Sequence, residues 1–551
     1  MADDAEGSGG GTSMLDVVVV GAGFAGLYLL HRLRSAGFSV LVIEAGSDVG
    51  GTWYWNRYPG ARCDVESLEY SYSFSDELQQ EWNWSERFAT QAEILAYLRH
   101  VADRFHLRSG IRFNTRVTAA SFDNASALWT ITTDGGESHA ARYCVMATGS
   151  ITTPRLPDVP GISSFAGGLH HTARWPKEGV DVSGKRVGVI GTGSSGIQAI
   201  PELARSAGHL TVFQRTPSYS VPARNHLLSP DHVAAWKAVY PARRAAARMT
   251  RNGVLYEYAT EAALDTPAEI RQAELERRWT KGGANFMHAY TDFGRNEAAN
   301  SIAADFVRGK IAGIVRDPDT AQKLSPTDYP IGAKRICVDT DYFETYNRSN
   351  VSLVDLREDP IVQVTADAIE TRSGRHPIDV LILATGFDAM TGALLAVDIG
   401  VRGGRTLREL WAVGPRTYLG LMVAGLPNLF MVNGPGSPSV LSNMVVSIEH
   451  HVDWICSCLE MLRASGARTI EADAAAQEAW VAHVAEVASG TLYPRANSWY
   501  VGANIPGKPR VFMPYVGGVG AYQGICRDVV ADGYRGFFIE REGVAPARVA
   551  E

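Results

Sequence analysis

The chain has 551 residues, a hydrophobic fraction of 46% and a charged fraction of 20%, which are typical of a globular enzyme of about two to four domains. Its formal net charge of −7 argues against a surface that binds nucleic acid or acidic lipid. The apolar runs are shorter than the roughly 20 residues that cross a membrane, so no membrane span is predicted.

The first residues, MADDAEGSGGGTS, are acidic and rich in glycine, and they lack the basic and apolar regions of a signal peptide. We expect residues 1–13 to be a disordered arm and the protein to be cytoplasmic. The six cysteines show neither zinc spacing nor the CxxC pair of a disulfide reductase, and no metal site is predicted. The closest pair, Cys456 and Cys458, is expected to pack in the core.

A nucleotide-binding unit opens the chain. An apolar strand at Leu15–Val20 precedes a helical pattern at Phe24–Leu33, and a second strand ends in Glu44. The turn between strand and helix contains Gly21, Gly23, Phe24, Ala25 and Gly26. An acid 18 residues beyond the last glycine is suited to bond a ribose diol, so this unit is predicted to bind FAD.

Two more strands follow, at Leu128–Thr133 and Tyr143–Ala147, and prolines 154, 157 and 160 then mark a linker. A second nucleotide unit begins near Lys185, and its loop contains Gly191, Gly193 and Gly196. The strand after this loop ends in Arg215-Thr216 rather than an acid. An arginine there accommodates a 2′-phosphate, so this unit is predicted to bind NADPH and to deliver hydride to the flavin.

Between about 222 and 330 the strand signals vanish, and Ala, Arg and Glu dominate. We expect a helical insertion rather than a flexible excursion, because it contains the aromatic side chains Trp279, Phe286, Tyr290 and Phe293. A further strand at Asp379–Leu383 ends in an Ala-Thr-Gly triplet like that at 147–149. These two triplets are predicted to mark where the chain crosses between nucleotide domains, and helices are expected near Leu441–Leu462 and Ala474–Ala488.

The predicted fold is therefore α/β, with two Rossmann-like dinucleotide-binding domains, one for FAD and one for NADP, and a helical insertion in the NADP domain. The predicted boundaries are 14–152 and 388–551 for the FAD-binding domain, 153–218 and 339–387 for the NADP-binding domain, and 219–338 for the insertion.

Two segments outside the glycine loops carry candidate functional residues. The first, Gly50 to Asp64, has glycines that let backbone approach a cofactor and tryptophans 53 and 55 as flat surfaces for a ring system; the alternative is a surface turn. The second, Phe165 to Pro176, lies in the interdomain linker. Its His171 is more often, in such a place, a hydrogen-bonded structural residue than a catalyst.

Both segments resemble type I Baeyer–Villiger monooxygenases. Phe165, Gly167, His171, Trp175 and Pro176 match the pattern F-x-G-x-x-x-H-x-x-x-W-P, and 50–64 matches G-G-x-W-x-x-x-x-Y-P-G-x-x-x-D. The likeness extends from about 16 to about 538 and is strongest to phenylacetone and steroid monooxygenases, on segments such as GPGSPSVLSNM and NSWYVGANIPGKPRVFMP. Related N- and S-oxygenating enzymes usually have an aromatic and a basic residue where Trp175 and Pro176 stand.

The resemblance implies roles for individual residues. Arg335 falls on the family's essential arginine and Asp64 on its active-site aspartate. Lys334, Arg215 and Thr216 fall on contacts to the NADP 2′-phosphate, and Trp499 lies near the nicotinamide cofactor. The substrate pocket falls on Ser439, Val440, Leu441 and Met444. Further implied FAD contacts are Gly51, Thr52, Trp53, Trp55, Asp64, Tyr70, Val117 and Met444, and further implied NADP contacts are Arg62, Thr192, Gly193, Ser194, Ser195, Gly196, Gln198 and Arg335.

The implied reaction uses non-covalent FAD, NADPH and dioxygen to convert a ketone to an ester or lactone through a C4a-peroxyflavin. A guanidinium at Arg335 keeps its proton and stabilises that anion, and Asp64 is expected to hold it through a bidentate pair. The alternative for Arg335 is a phosphate contact only. Alternatives for the chain are an N- or S-monooxygenase, an NADPH oxidase producing only hydrogen peroxide, and a non-catalytic flavin sensor. Sulfoxidation is expected as a side activity, and a monomer is favoured.

Overall fold

The computed structural model describes residues 14–400 and 403–541, so the predicted arm at 1–13 lies outside the described residues. The strands are β1 Leu15–Val20, β2 Val40–Ile43, β3 Ile111–Arg112, β4 Val117–Asp123, β5 Leu128–Thr133, β6 Ser138–Met146, β7 Gly168–His171, β8 Arg186–Ile190, β9 His209–Gln214, β10 Ser220–Pro222, β11 Cys337–Asp339, β12 Val351–Asp355, β13 Ile361–Val364, β14 Ala368–Thr371, β15 Arg375–Pro377, β16 Val380–Leu383, β17 Asp398–Ile399, β18 Leu429–Met431, β19 Ala467–Ala472 and β20 Phe537–Arg541.

The helices are α1 Phe24–Ser35, α2 Thr52–Trp55, α3 Asp76–Glu81, α4 Gln91–Arg104, α5 Ser194–Ser206, α6 Pro230–Lys237, α7 Tyr240–Arg248, α8 Ala268–Lys281, α9 Glu297–Ile314, α10 Pro318–Leu324, α11 Tyr342–Thr345, α12 Gly392–Leu395, α13 Leu407–Leu410, α14 Met444–Ala464, α15 Ala474–Ser489 and α16 Val519–Ala531. Short 3₁₀ turns lie at Arg108–Gly110, Ile162–Ser164, Thr172–Arg174, Ala284–His288, Ser439–Leu441, Tyr493–Arg495 and Trp499–Val501.

The larger sheet has the order β17-β4-β5-β6-β1-β2-β3, and β18 also pairs with β6. Strand β1 lies between two parallel neighbours, β2 and β6. Its central residues Val17, Val18 and Val19 are fully buried, as expected of a strand that is covered on both faces. The first glycine loop follows this central strand, so the loop lies at the carboxyl edge of the sheet.

The smaller sheet has the order β12-β9-β8-β16-β7, and each of its pairings is parallel. Strand β8, which leads into the second glycine loop, is central here as β1 is in the larger sheet. The two sheets thus repeat the same strand, glycine loop and helix arrangement. This confirms the predicted α/β class with two Rossmann-type units.

Helices α6–α10 occupy the stretch between β10 and β11, where helices were predicted. Aromatic residues Trp279, Phe286, Tyr290 and Phe293 are 6%, 0%, 6% and 0% exposed, which confirms their expected burial. They share one hydrophobic core with residues of the smaller sheet such as Leu210 and Val212. The helical segment is therefore packed onto the second nucleotide unit.

Element boundaries differ from the predictions at two places. Strand β6 begins at Ser138 and ends at Met146, because its polar first half pairs with β5. Helix α14 begins at Met444 rather than Leu441, since the Asn443 side chain accepts a hydrogen bond from the Val445 amide and caps the helix there. Cys456 and Cys458 on α14 are fully buried, which confirms their expected place in the core.

Two small antiparallel sheets, β13-β14-β15 and β19-β20, were not predicted. Their strands are short or of mixed polarity, so they give little periodic signal. Over residues 14–400 and 403–541, none of the helices has the length and apolar character to cross a membrane.

Candidate active site

The two glycine loops form matching cradles at the edges of the two sheets. Gly21 and Gly191 have φ of +106° and +111°, and a Cβ on either would lie 2.7 and 2.4 Å from the carbonyl oxygens of Ala147 and Ala384. Those carbonyls belong to the two Ala-Thr-Gly triplets. Side chains at the third glycines, 26 and 196, would collide with the first glycine of the same loop at 1.8 and 2.2 Å. Both loops therefore fit the close backbone approach of a dinucleotide pyrophosphate at a helix N-terminus.

Glu44 ends β2 beside the first loop. Its two carboxylate oxygens accept hydrogen bonds from the amides of Ala22 (2.7 Å) and Gly46 (2.6 Å). Burial raises the pKa of this carboxyl despite those bonds. A carboxylate has about four lone-pair positions, so oxygen positions are left for a ribose diol, and the residue fits the FAD adenosine end.

A cavity of about 1020 Å³ connects the two loops. Predicted cofactor residues that line it are Gly21, Gly23, Phe24, Ala25, Glu44, Gly51, Thr52, Trp53, Trp55, Arg62, Asp64, Tyr70, Val117, Thr192, Gly193, Ser194, Ser195, Gln198, Arg215, Thr216, Lys334, Arg335, Met444 and Trp499. Gly26 and Gly196 lie behind the lining, where they let each helix pack on its loop.

Arg335 and Asp64 form a bidentate pair on the wall of this cavity. Arg335 Nε donates to Asp64 Oδ2 at 2.7 Å, and Nη2 donates to Oδ1 at 2.6 Å. Nη1 donates to the carbonyl oxygen of Val440 at 2.8 Å. Three of the five guanidinium N–H donors are thereby bonded to protein acceptors, while the Arg335 and Asp64 side chains stay 33% and 23% exposed.

The pair fixes the charges of both groups. Burial alone would raise the pKa of the Asp64 carboxyl, but the charge of Arg335 and its hydrogen bonds lower it. The same partner raises the pKa of Arg335 well above its usual value, against the effect of burial. The pairing therefore favours the ionised form of both groups, and the Arg335 guanidinium on the cavity wall keeps its positive charge.

Three further cations lie where the second unit is predicted to bind a phosphate. Arg215 is exposed after β9, and the Lys334 ammonium lies 4.1 Å from the centre of the Tyr329 ring. Burial and the charge of Arg215 lower the pKa of Lys334, and the same two causes lower that of Arg155. Arg155 lines the cavity but was not predicted, because it lies in the proline-marked linker far from any nucleotide motif.

The segment from Gly50 to Asp64 also contacts the second unit. Gln198 on α5 accepts from the Tyr58 hydroxyl at 2.8 Å, and its amide donates to the Arg62 carbonyl at 3.2 Å. A Cβ on Gly60 would lie 2.3 Å from the Gln198 carbonyl oxygen. The predicted NADP residues Arg62 and Gln198 both line the cavity. The Gln198 side-chain amide in addition links the second unit to segment 50–64 of the first through its hydrogen bonds.

The predicted substrate loop is only partly exposed to the cavity. Val440 and Met444 line it. In the described chain, Ser439 and Leu441 are outside that lining, and their assignment to the substrate pocket stays a prediction. Ser439 is fully buried and its hydroxyl lies 3.2 Å from that of Ser150, because the 3₁₀ turn directs it inward.

The predicted linker residues Phe165, Gly167, His171, Trp175 and Pro176 are likewise outside the cavity lining of the described chain, although their neighbour Arg174 is part of it. His171 Nδ1 accepts from the Ala173 amide at 3.0 Å, and Nε2 lies 3.2 Å from the Arg155 carbonyl oxygen. A Cβ on Gly167 would lie 2.3 Å from the Asp379 carbonyl oxygen, and Trp175 is buried. Phe165 packs beside the smaller sheet, and Pro176 follows Trp175. These contacts favour the structural alternative for His171.

A C-terminal segment, residues 497–508, contributes to the wall of the cavity. Trp499 lines it together with Asn504, whose amide donates to the Phe387 carbonyl at 2.7 Å. Lys508 forms an ion pair with Asp388, the residue that directly follows Phe387. Asn504 and Lys508 were not predicted, because their partners are more than 100 residues distant in sequence.

Comparisons with known proteins place this site in a family. Residues 18–253 match the family described as pyridine nucleotide-disulphide oxidoreductase. The chain is 42% identical to a Baeyer–Villiger monooxygenase of Pseudooceanicola batsensis, with 96% of each chain covered. The chain belongs to the type I Baeyer–Villiger monooxygenase family. It is an FAD-containing, NADPH-dependent monooxygenase.

Within this family the relatives differ in substrate. The solved structure of an oxidised steroid monooxygenase bound to NADP shares 52% identity and a TM-score of 0.92, covering 96% of this chain and 100% of that one. A phenazine N-monooxygenase of Lysobacter antibioticus is 42% identical, over 96% of this chain and 97% of its own. Relatives whose names indicate different substrates are thus similar to this chain over nearly its whole length.

Proposed function

We propose that the chain uses NADPH and dioxygen to insert one oxygen atom beside the carbonyl group of a ketone, giving an ester or lactone and water. The observation that carries this proposal is the Asp64–Arg335 pair on the cavity wall between the two glycine cradles. A fixed cation at this place suits oxygen-transfer chemistry, in which negative charge develops on oxygen.

The two cradles supply the positions of the cofactors. When bound, FAD accepts hydride from NADPH and activates dioxygen. We propose that the first loop and Glu44 hold FAD, with Trp53, Tyr70 and Met444 along its length, and that the second loop holds the NADP pyrophosphate. Arg215, Thr216 and Lys334 then bind the 2′-phosphate, and Arg155 lies close enough to Arg215 to add its charge.

Arg335 acts by keeping its proton. A guanidinium paired with a carboxylate does not lose a proton at working pH, so it stabilises anionic oxygen without protonating it. It also offsets the charge that forms on the ketone oxygen during attack. Asp64 orients the guanidinium plane through two parallel hydrogen bonds, which restricts its rotation. These roles, rather than a phosphate contact alone, are what the pairing supports.

The C-terminal segment is proposed to exclude water. Trp499 and Asn504 line the cavity, and the Lys508–Asp388 ion pair holds the segment against the stretch that follows β16. Exclusion of water protects reactive species from side reactions such as release of hydrogen peroxide. Retention of oxidised NADP by Arg215, Lys334 and Trp499 serves the same end.

We also propose the domain boundaries predicted from the sequence, because the strands of each sheet fall within them. Strands β1–β6, β17 and β18 of the larger sheet fall in 14–152 and 388–551, and strands of the smaller sheet fall in 153–218 and 339–387.

We also infer a cytoplasmic location, which six free and buried cysteines support. A monomer is the proposed state, and light scattering tests it.

Oxygenation of nitrogen or sulfur is the second candidate function. It is favoured by the 42% identity to a phenazine N-monooxygenase, which has the same fold and a different acceptor atom. In that case Arg335 still binds anionic oxygen, but no ketone carbonyl is attacked.

The test is to measure NADPH consumption and products by mass spectrometry with linear, cyclic, aromatic and steroidal ketones, and with sulfides and amines. We expect ketone-stimulated NADPH consumption and ester or lactone formation. Turnover with sulfides or amines but never with ketones indicates the second candidate. Hydrogen peroxide as the sole product indicates an oxidase, and no turnover indicates a flavin-binding protein without oxygenase activity.

A further inference from the structure

The helical segment reaches the substrate loop through one side chain, Asn252, which follows α7. Asn252 Nδ2 donates to the Leu441 carbonyl oxygen at 2.8 Å. The carbonyl oxygen of the same residue accepts from the Asn443 amide at 2.7 Å. The two bonds hold the loop on either side of Ser442.

Gly253, the residue after Asn252, brings the backbone of the helical segment into contact with helix α14. Gly253 has φ +66°, and a Cβ there would lie 3.3 Å from both Cβ and Cγ1 of Val446. The close approach places the Asn252 backbone and side chain within reach of the loop at once. Asn443 is fixed from the other side, because its Nδ2 donates to the Glu69 carbonyl at 2.8 Å.

The held loop forms part of the active-site wall. Val440, one residue before Leu441, lines the cavity, and its carbonyl oxygen accepts a hydrogen bond from Arg335. Met444, one residue after Asn443, also lines the cavity. Any shift of the stretch from Leu441 to Asn443 therefore moves both wall residues relative to the guanidinium.

We propose that Asn252 is a positioning residue that sets the width of the ketone pocket by holding the loop at Leu441–Asn443. It acts through the loop and contacts neither cofactor cradle. This inference rests on the proposed function, since it assigns the loop to ketone binding. No local sequence pattern indicates this contact, because Asn252 and Leu441 are 189 residues apart.

The experiment compares two methyl ketones that differ by a phenyl ring, butanone and benzylacetone. In Asn252→Ala the loop loses its side-chain donor and widens. We expect kcat/KM for benzylacetone divided by that for butanone to rise about five- to tenfold, the size expected for one neutral hydrogen bond. The change is expected in KM more than in kcat. Flavin reduction by NADPH and the Kd for NADP⁺ are expected to stay within about twofold, because both cradles lie elsewhere.

Two matched variants separate the donor from the rest of the side chain. Asn252→Asp keeps the size and the acceptor but loses the donor to Leu441, so it is expected to resemble Asn252→Ala. Tyr258→Phe removes only a hydroxyl that lies 3.4 Å from Asn252 Oδ1, so it is expected to resemble the wild type. An unchanged ketone ratio in both Asn252 variants overturns the proposal. So does loss of bound FAD or unfolding in those variants, since a loop contact leaves the flavin-binding fold intact.

Hydrogen exchange provides a readout that does not depend on turnover. In the FAD-loaded enzyme, peptides covering 439–444 are expected to exchange faster in Asn252→Ala than in the wild type, and those covering the glycine loops are expected to be unchanged. Equal exchange in the loop contradicts the proposal. If the wild type oxygenates no ketone, the proposed function fails, whereas the exchange result still decides whether Asn252 holds the loop.

Discussion

At the scale of single residues, the site depends on how one cation is held. Arg335 directs three N–H groups to Asp64 and to the Val440 carbonyl. Tyr500 lies close enough to interact with the same guanidinium. The guanidinium is oriented before any substrate arrives, so little reorganisation is needed when negative charge forms.

Asp64 is the residue that most directly tests this orientation. In Asp64→Ala, Arg335 keeps its charge but loses two of its three hydrogen bonds, so the rate of ester formation is expected to fall about 10²- to 10³-fold. Flavin reduction by NADPH, measured by stopped-flow absorbance, is expected to change little. Asp64→Asn keeps one oxygen acceptor, so its rate of ester formation is expected to lie between those of the wild type and Asp64→Ala. Equal ester formation in all three proteins contradicts a positioning role for Asp64.

Lys334 predicts a pH dependence of cofactor affinity. Burial and Arg215 lower its pKa below the usual lysine value of about 10.4, and only its charged form attracts a phosphate. NADPH affinity is therefore expected to fall as pH rises. The fall is expected to begin at a lower pH than it would if Lys334 had the usual pKa of a lysine. The loss is about tenfold if one charge-assisted hydrogen bond is broken.

Titration of NADP⁺ into the enzyme between about pH 7 and pH 10, followed by the flavin spectrum, measures this effect. Lys334→Arg keeps its proton over this range, so its affinity is expected to stay nearly constant. A wild-type profile as flat as that of the variant argues that Lys334 does not contact the phosphate.

At the scale of elements, the parts predicted from sequence are those with local signals. Strand β1, its glycine loop and α1 are adjacent in the chain, and so are β8, its loop and α5. Apolar periodicity and glycine spacing suffice for such units. Arg155, Asn252 and Asn504 reach the site through loops, and their partners are distant in sequence. No periodic pattern encodes those contacts, so only the three-dimensional structure reveals them.

The close packing of segment 50–64 against helix α5 gives a prediction at the scale of elements. Gly60 has φ +80°, and a Cβ there would lie 2.3 Å from the Gln198 carbonyl oxygen. Gly136 has nearly the same φ, +78°, with no atom within 4 Å of its Cβ position. Gly60→Ala and Gly136→Ala therefore share a left-handed backbone cost of about 1–2 kcal/mol, and only the first adds a collision.

Gly60→Ala is expected to lower the free energy of unfolding by more than Gly136→Ala, and to weaken NADP⁺ binding as α5 is displaced. Gly136→Ala is expected to leave NADP⁺ affinity unchanged. Denaturant unfolding and NADP⁺ titration measure the two effects. Equal destabilisation by both substitutions, with equal affinities, means that the close approach of these elements is not needed for the site.

At the scale of the whole molecule, two similar nucleotide units face one cavity. Each crossover between them begins at an Ala-Thr-Gly triplet, and the alanine carbonyl of that triplet abuts the first glycine of a loop. The helical segment contacts the substrate loop through Asn252, and the C-terminal segment contacts Asp388 through Lys508. One cavity therefore joins both glycine loops to the fixed cation at Arg335, which is the arrangement that the proposed oxygen insertion requires.

The central claim is that Arg335 supports oxygen transfer and not flavin reduction. The most direct measurement is the amount of ester formed per NADPH consumed, with hydrogen peroxide assayed in parallel, in the wild type, Arg335→Lys and Arg335→Ala. The wild type is expected to form about one ester per NADPH. Arg335→Ala is expected to be reduced by NADPH yet to release hydrogen peroxide in place of ester, with Arg335→Lys between them, since lysine keeps the charge without the bidentate geometry. Ester formation by Arg335→Ala at the wild-type rate would contradict the account.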